Sequence, residues 1–127
     1  EAGLTAPEPV QGDWTAASGY AAGERLAADP EVTAVFCAND EVAIGLIRAM
    51  HEHGRRVPQD VSVVGFDGLS LGEYSFPPLT TVRQDFRRAG SEMVGLVLEQ
   101  VDSGVGGGAR QILIPTELVV RGSTASA

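Results

Sequence analysis

Asp67 and Asn39 are the side chains whose type and position best suit binding chemistry. Val61 to Phe66, V-S-V-V-G-F, runs straight into Asp67, and Gly68 follows. Val32 to Ala38, V-T-A-V-F-C-A, ends on Asn39-Asp40. A carboxylate accepts two parallel hydrogen bonds and an amide both donates and accepts. Open α/β sheets collect such groups in the crevice beyond the carboxyl ends of their strands. Each residue also has a plainer use. Asp67 can hydrogen-bond its own turn, and Asn39 can cap the helix that follows it.

Catalytic chemistry finds little support. His51 and His53 are two apart on one helix, so they face apart rather than forming a metal pair. Ser62, Ser70 and Ser91 sit in no nucleophile-elbow pattern. Cys37 is the single cysteine, so it has no internal disulfide partner. Inside Val35-Phe36-Cys37-Ala38 it reads as a small buried hydrophobe. No Cys/His set has metal-ligand spacing, and neither an enzyme activity nor a cofactor is expected.

The elements that must position Asn39 and Asp67 follow from pattern. Residues 1–13, with two Pro and two Gly, suit a loop or edge strand. Thr15 or Asp13 can cap a helix reaching about Asp29. Gly19 and Gly23 each weaken that helix by about 1 kcal/mol relative to Ala, and close packing against the sheet is the expected compensation. Asp29-Pro30 ends it. After the strand 32–38, Asn39 or Asp40 caps a helix to about His53, closed by Gly54. Val42, Ile44, Leu46, Ile47 and Met50 cover more than one stripe of this helix, so its surplus apolar face points to another subunit. The strand Val61 to Asp67 is apolar without strict alternation, which favours cover on both faces. Thr80 to Val82 is extended. Phe86, Ala89, Met93, Leu96, Val97 and Val101 predict a third helix over 85–102. Gly104 to Gly108 reads as a linker, and strands are expected at Gln111 to Ile114 and Glu117 to Arg121. Strands alternating with helices predict a parallel α/β sheet, and right-handed crossovers put Asn39 and Asp67 on one rim.

Bulk composition narrows the classes. The chain has 127 residues, a net charge of −8, nine Arg and no Lys. Clustered positive charge is needed to grip phosphates, and Arg55-Arg56 and Arg87-Arg88 are the only basic pairs. This chain is therefore a poor nucleic-acid binder by itself. No stretch approaches the roughly 20 apolar residues of a membrane span, so no membrane partner is expected, and the lone cysteine leans towards a reducing, cytoplasmic setting.

Five stretches resemble one family in order and spacing. They are G-D-W with S-G-Y at 12–20, T-A-V-F-C-A-N-D at 33–40, V-P-Q-D-V-S-V-V-G-F-D at 57–67, P-P-L-T-T-V-R-Q-D-F at 77–86 and L-V-V-R-G-S at 118–123. They are similar to the later part of the effector-binding domain of LacI/GalR-type transcriptional regulators. The resemblance implies a type I periplasmic-binding-protein-like α/β fold, mainly its second lobe. Residues 1–79 and 111–122 would belong to that lobe. Residues 80–109 would be a crossover and a helix of the first lobe, and the DNA-binding domain is absent. It implies a small-molecule effector, a sugar or derivative, bound between the lobes to modulate operator binding. Operator DNA would be contacted through the missing N-terminal domain, and the parent protein would be a homodimer. Carried over by position, the ligand-binding residues are Asp67, Asn39, Trp14, Gln84 and Phe86. Many relatives carry an acid or amide after the G-F-D aspartate where this chain has Gly68. Helix 85–102 would lack its usual partner, leaving burial against a second copy or folding back onto the sheet. The competing readings are a periplasmic sugar-binding protein of a transporter and a fragment serving only as a dimerisation module.

Overall fold

The computed structural model describes residues 8–103 and 110–126. The expected linker at Gly104 to Gly108 and the first half of the expected N-terminal loop lie outside the described residues. Residues 8–13 have no regular structure.

Helix α1, Ala16–Ala27, starts at Thr15, whose hydroxyl accepts from the Ser18 amide. Asp13 supports that cap from behind, accepting from the Thr15 amide at 3.2 Å and hydroxyl at 2.6 Å. Strand β1, Ala34–Phe36, leads to α2, Asp40–Glu52. Asn39 caps α2 by accepting from the Val42 amide at 2.8 Å, and Gly54, at φ +77°, follows its end. Strand β2, Ser62–Asp67, a 3-10 turn at Ser70–Glu73, strand β3, Thr80–Arg83, helix α3, Phe86–Ser103, and strand β4, Glu117–Val119, complete the order.

The sheet runs β1-β2-β3-β4. β1, β2 and β3 are parallel, with Val35 beside Val63 and Gly65 beside Thr81. β4 returns antiparallel, with Thr81 beside Val119. The tail then passes beside the start of β2, where Ser123 is fully buried. Its hydroxyl donates to the Val63 carbonyl at 2.6 Å and accepts from the Thr80 amide at 2.8 Å. The core lies between α2 and β2, from Ala43, Leu46, Ile47 and Met50 to Val61, Val63 and Leu79, with Cys37 at its edge.

Several expectations need correction. The neighbour of the α1 glycines is α2, not the sheet. A Cβ on Gly19 would overlap the Val42 carbonyl, one on Gly23 the Ala49 side chain, and one on Gly45 the Ala16 carbonyl. The two helix backbones therefore meet at small residues. This contact covers much of the part of α2 left over by the sheet, with Val42 and Ile44 partly buried. Among the described residues β2 is covered on the Val61–Val63–Gly65 face only. On the other face Phe36, 66% exposed, meets Phe66 edge-to-face at 6.4 Å, and no described element covers them. Gln111 to Ile114 forms no strand. Ile112 and Ile114 alternate with exposed Leu113, but no described segment pairs with them.

Helix α3 does not fold back onto the sheet. Phe86, Met93, Val94, Val97, Leu98 and Val101 are all exposed. Its start is nonetheless well made, since Asp85 Oδ1 accepts from the Arg88 amide at 2.9 Å and its carbonyl accepts from the Ala89 amide at 2.9 Å.

Candidate functional site

The parallel pairing of β1 and β2 brings their carboxyl ends to one rim of the sheet, where Asn39 and Asp67 both stand. The backbone marks the same rim. Among the described residues only Trp14, at φ +71°, and Asp67, at φ +105°, are non-glycine residues with positive φ. Such conformations are strained for L side chains and persist where the surroundings impose them.

Two hydrogen-bonded pairs build the rim. In the first, Asn39 Nδ2 donates to the Trp14 carbonyl at 2.9 Å while its Oδ1 caps α2. Asn39 thus spends one donor and one acceptor on structure and retains one N–H and one lone pair. The bond fixes the Trp14 backbone, and Trp14 is 66% exposed. In the second pair, Gln84 Nε2 donates to Asp67 Oδ1 at 2.8 Å, and the Gln84 amide donates to the Asp67 carbonyl at 3.2 Å. Asp67 is half-buried, and its Oδ2 accepts no hydrogen bond from the described residues, so that oxygen is left for a donor from outside. Phe86 stands two residues beyond Gln84, 56% exposed in the first turn of α3.

Asp40, next to Asn39 in the chain, reaches the turn that follows Asp67. Its carboxylate is fully buried. Oδ1 accepts from the Thr81 hydroxyl at 2.6 Å and Oδ2 from the Leu69 amide at 2.6 Å. Gly65 makes room for it, because a Cβ there would overlap Oδ1. Sequence reading treats Asp40 as a helix-end acid alone. The overlooked signal is Gly65, a glycine inside an apolar strand, which marks a close approach. Gly68 has an equally concrete cause. At φ +76° a side chain would be strained, and its Cβ would lie 2.7 Å from the Arg83 side chain. The absence of an acid or amide at this position is therefore dictated by local packing.

A hollow of about 550 Å³ lies between the end of β3 and the approach to β4, lined by Arg83, Gln84, Asp85, Pro115, Thr116 and Glu117. It includes neither Asp67 nor Asn39. The Arg83–Glu117 ion pair at 2.7 Å belongs to its lining, so it is a junction between chain crossings and not the rim site. Among the described residues no group of three or more His, Cys, Asp or Glu can hold a metal ion. No described helix is long and apolar enough to cross a membrane. Cys37, just before Asn39, is held protonated. Burial, with a smaller push from the Asp40 charge, raises its thiol to about 12.

The periplasmic binding protein-like domain family matches residues 1–124. The chain is 46% identical over 81 residues to the HTH-type transcriptional repressor PurR of Vibrio cholerae, a match covering 64% of this chain and 24% of that protein. Among solved structures it is similar to the Lac repressor dimer bound to operator and the anti-inducer ONPF, with TM-score 0.80 and 39% identity over 91% of this chain and 40% of that one. It is also similar to a complex of the transcriptional regulator CelR with cellobiose, with TM-score 0.82 and 38% identity over 88% of this chain and 34% of the other. The chain spans only about a quarter to a third of the curated relatives it matches, 24% of one and 36% of another.

Proposed function

Since the chain belongs to the periplasmic binding protein-like family, in the form that domain takes in LacI-type regulators, we propose that it is the later part of a sensor that binds a small carbohydrate and modulates operator binding. The observation that carries this reading is Asp67. It is a half-buried carboxylate on strained backbone, at the end of a parallel strand, with one oxygen tied to Gln84 and the other accepting no hydrogen bond from the described residues. Asn39, bonded to the carbonyl of the exposed Trp14, follows β1 on the same rim of the sheet. A carboxylate, an amide and an aromatic face match the hydroxyls and C–H face of a sugar. The complex of CelR with cellobiose supports the ligand class.

In this reading residues 80–109 cross into a first lobe, and the apolar face of α3 packs there. Residues 1–79 and 111–122 belong to the second lobe, and the ligand lies between the two. Closure of the lobes on the ligand shifts the balance between operator-binding states. The operator is gripped by a separate N-terminal domain, since this chain is acidic. The intact protein works in the cytoplasm as a homodimer, the state in which the similar Lac repressor sits on its operator.

The test is calorimetry of the full-length protein against a library of mono- and disaccharides, repeated on Asp67→Ala. A charged hydrogen bond lost from the ligand lowers affinity by about ten- to a hundredfold, with operator binding retained. A saccharide bound equally well by wild type and variant would show that Asp67 is not the ligand acid. Binding only by non-carbohydrates would overturn the ligand class.

A further inference from the structure

We propose that Asp40 and Thr81 are positioning residues for Asp67, holding the two peptide N–H groups that follow it and so fixing the turn from which its carboxylate reaches the rim. The inference rests on the reading of Asp67 as the ligand acid, but it concerns how that acid is placed. Asp67 and Gly68 are consecutive residues of positive φ, at +105° and +76°. A turn of this kind needs partners for the N–H groups it releases. Gly68 N donates to Thr81 Oγ1 at 3.3 Å, Thr81 Oγ1 donates to Asp40 Oδ1 at 2.6 Å, and Leu69 N donates to Asp40 Oδ2 at 2.6 Å. Both N–H groups after Asp67 thus end on one buried carboxylate, directly or through one hydroxyl.

The choice of residues is chemical. A buried charge is costly unless it is fully hydrogen-bonded. Asp40 is fully buried and engages both oxygens. An ionised carboxylate accepts on both sides at once, whereas an Asn must turn an NH2 group towards one of the two donors. Thr81 is the matching relay. Its hydroxyl accepts from one partner and donates to the other, and its backbone pairs with Gly65, the residue that leaves space for Asp40. From the far side Gln84 holds Asp67 by its carbonyl and by Oδ1. Asp67 is therefore gripped before and behind, and the rear grip ends on the fully buried Asp40.

The experiment is hydrogen–deuterium exchange on the full-length protein and on Thr81→Val, Thr81→Ser and Asp40→Asn. It is paired with NMR detection of the Gln84 side-chain amide, which reports where the Asp67 carboxylate sits. Thr81→Val keeps the shape and removes the relay, so the Gly68 and Leu69 amides should exchange about tenfold faster. The Gln84 Nε2 protons should lose protection in step. Thr81→Ser should restore both. Asp40→Asn should exceed Thr81→Val, and if it fails to fold the Thr81 pair decides the matter alone. Unchanged exchange at Gly68 and Leu69 overturns the proposal. So does acceleration shared equally by α2 and β2, which is general destabilisation, and so does faster turn exchange with an unmoved Gln84 amide. None of these readouts uses a ligand. A wrong ligand acid would appear in the saccharide titrations, and a wrong clamp would appear here.

Discussion

Helices α2 and α3 carry similar apolar patterns and meet opposite fates. Leu46, Ile47 and Met50 of α2 are buried between the sheet and α1, whereas Met93, Val97, Leu98 and Val101 of α3 are exposed. The difference lies in what each faces. Gly19, Gly23 and Gly45 let α1 and α2 approach until a Cβ would collide with backbone or side chain. Along α3, Gly90 and Gly95 face open space. An amphipathic pattern therefore specifies a helix with a face to bury, and the neighbours supply or withhold the cover. The sheet repeats the contrast, with Val61 and Val63 buried under α2 and Phe36 exposed on the opposite face.

The largest effect that could break this comparison lies beside the covered helix. Cys37 should resist alkylation at pH 8, because a thiol raised from 9.0 to about 12 holds about a thousandfold less thiolate than an ordinary one. The sign for stability follows. The folded value lies above the unfolded one, so the contribution is intact below pH 9 and is lost as pH rises towards 12. Fast labelling of the native protein at a rate matching a free thiol would mean that α2 does not seal this edge. Next, Met50→Ala should cost about 3 kcal/mol in urea unfolding, since the fully buried side chain leaves a cavity. Gly45→Ala should cost about 2 kcal/mol by forcing α1 outward from α2. The smallest effect is the sharpest contrast. Leu98→Ala on α3 should stay within about 0.5 kcal/mol when this chain is measured alone. A loss equal to that of Met50→Ala would show that α3 is already covered. A loss that appears only in the full-length protein would support the proposed packing against a first lobe.

Much of the architecture was legible in the residues. Thr15 and Asn39 were readable as caps because Ser, Thr, Asp and Asn satisfy free helix amides wherever they occur. β2 and α2 were legible to within a residue or two, and with them the parallel order that sets Asn39 and Asp67 on one rim. Other features depended on partners distant in sequence. The paired glycines announce a close approach but not whether a helix or a sheet comes near. The apolar run of β2 expects two covered faces, and the described chain supplies one. Ile112 and Ile114 show strand-like alternation, yet a strand exists only where another segment accepts its hydrogen bonds.

The candidate site divides the same way. Position singled out Asp67 and set Asn39 on its rim, and resemblance gave both a ligand role and added Trp14, Gln84 and Phe86. The couplings among them appear only in three dimensions. Asn39 is spent partly on the Trp14 carbonyl, Gln84 is bound to Asp67, and Asp40 reaches across 41 positions to Thr81. The sequence by itself determined which segments become helix and strand, and which polar groups end a buried strand, because these depend on local hydrogen bonding and on period. Only the tertiary structure decided which faces are covered and which acid is free. Both depend on a neighbour's position, and no residue carries that in its own type.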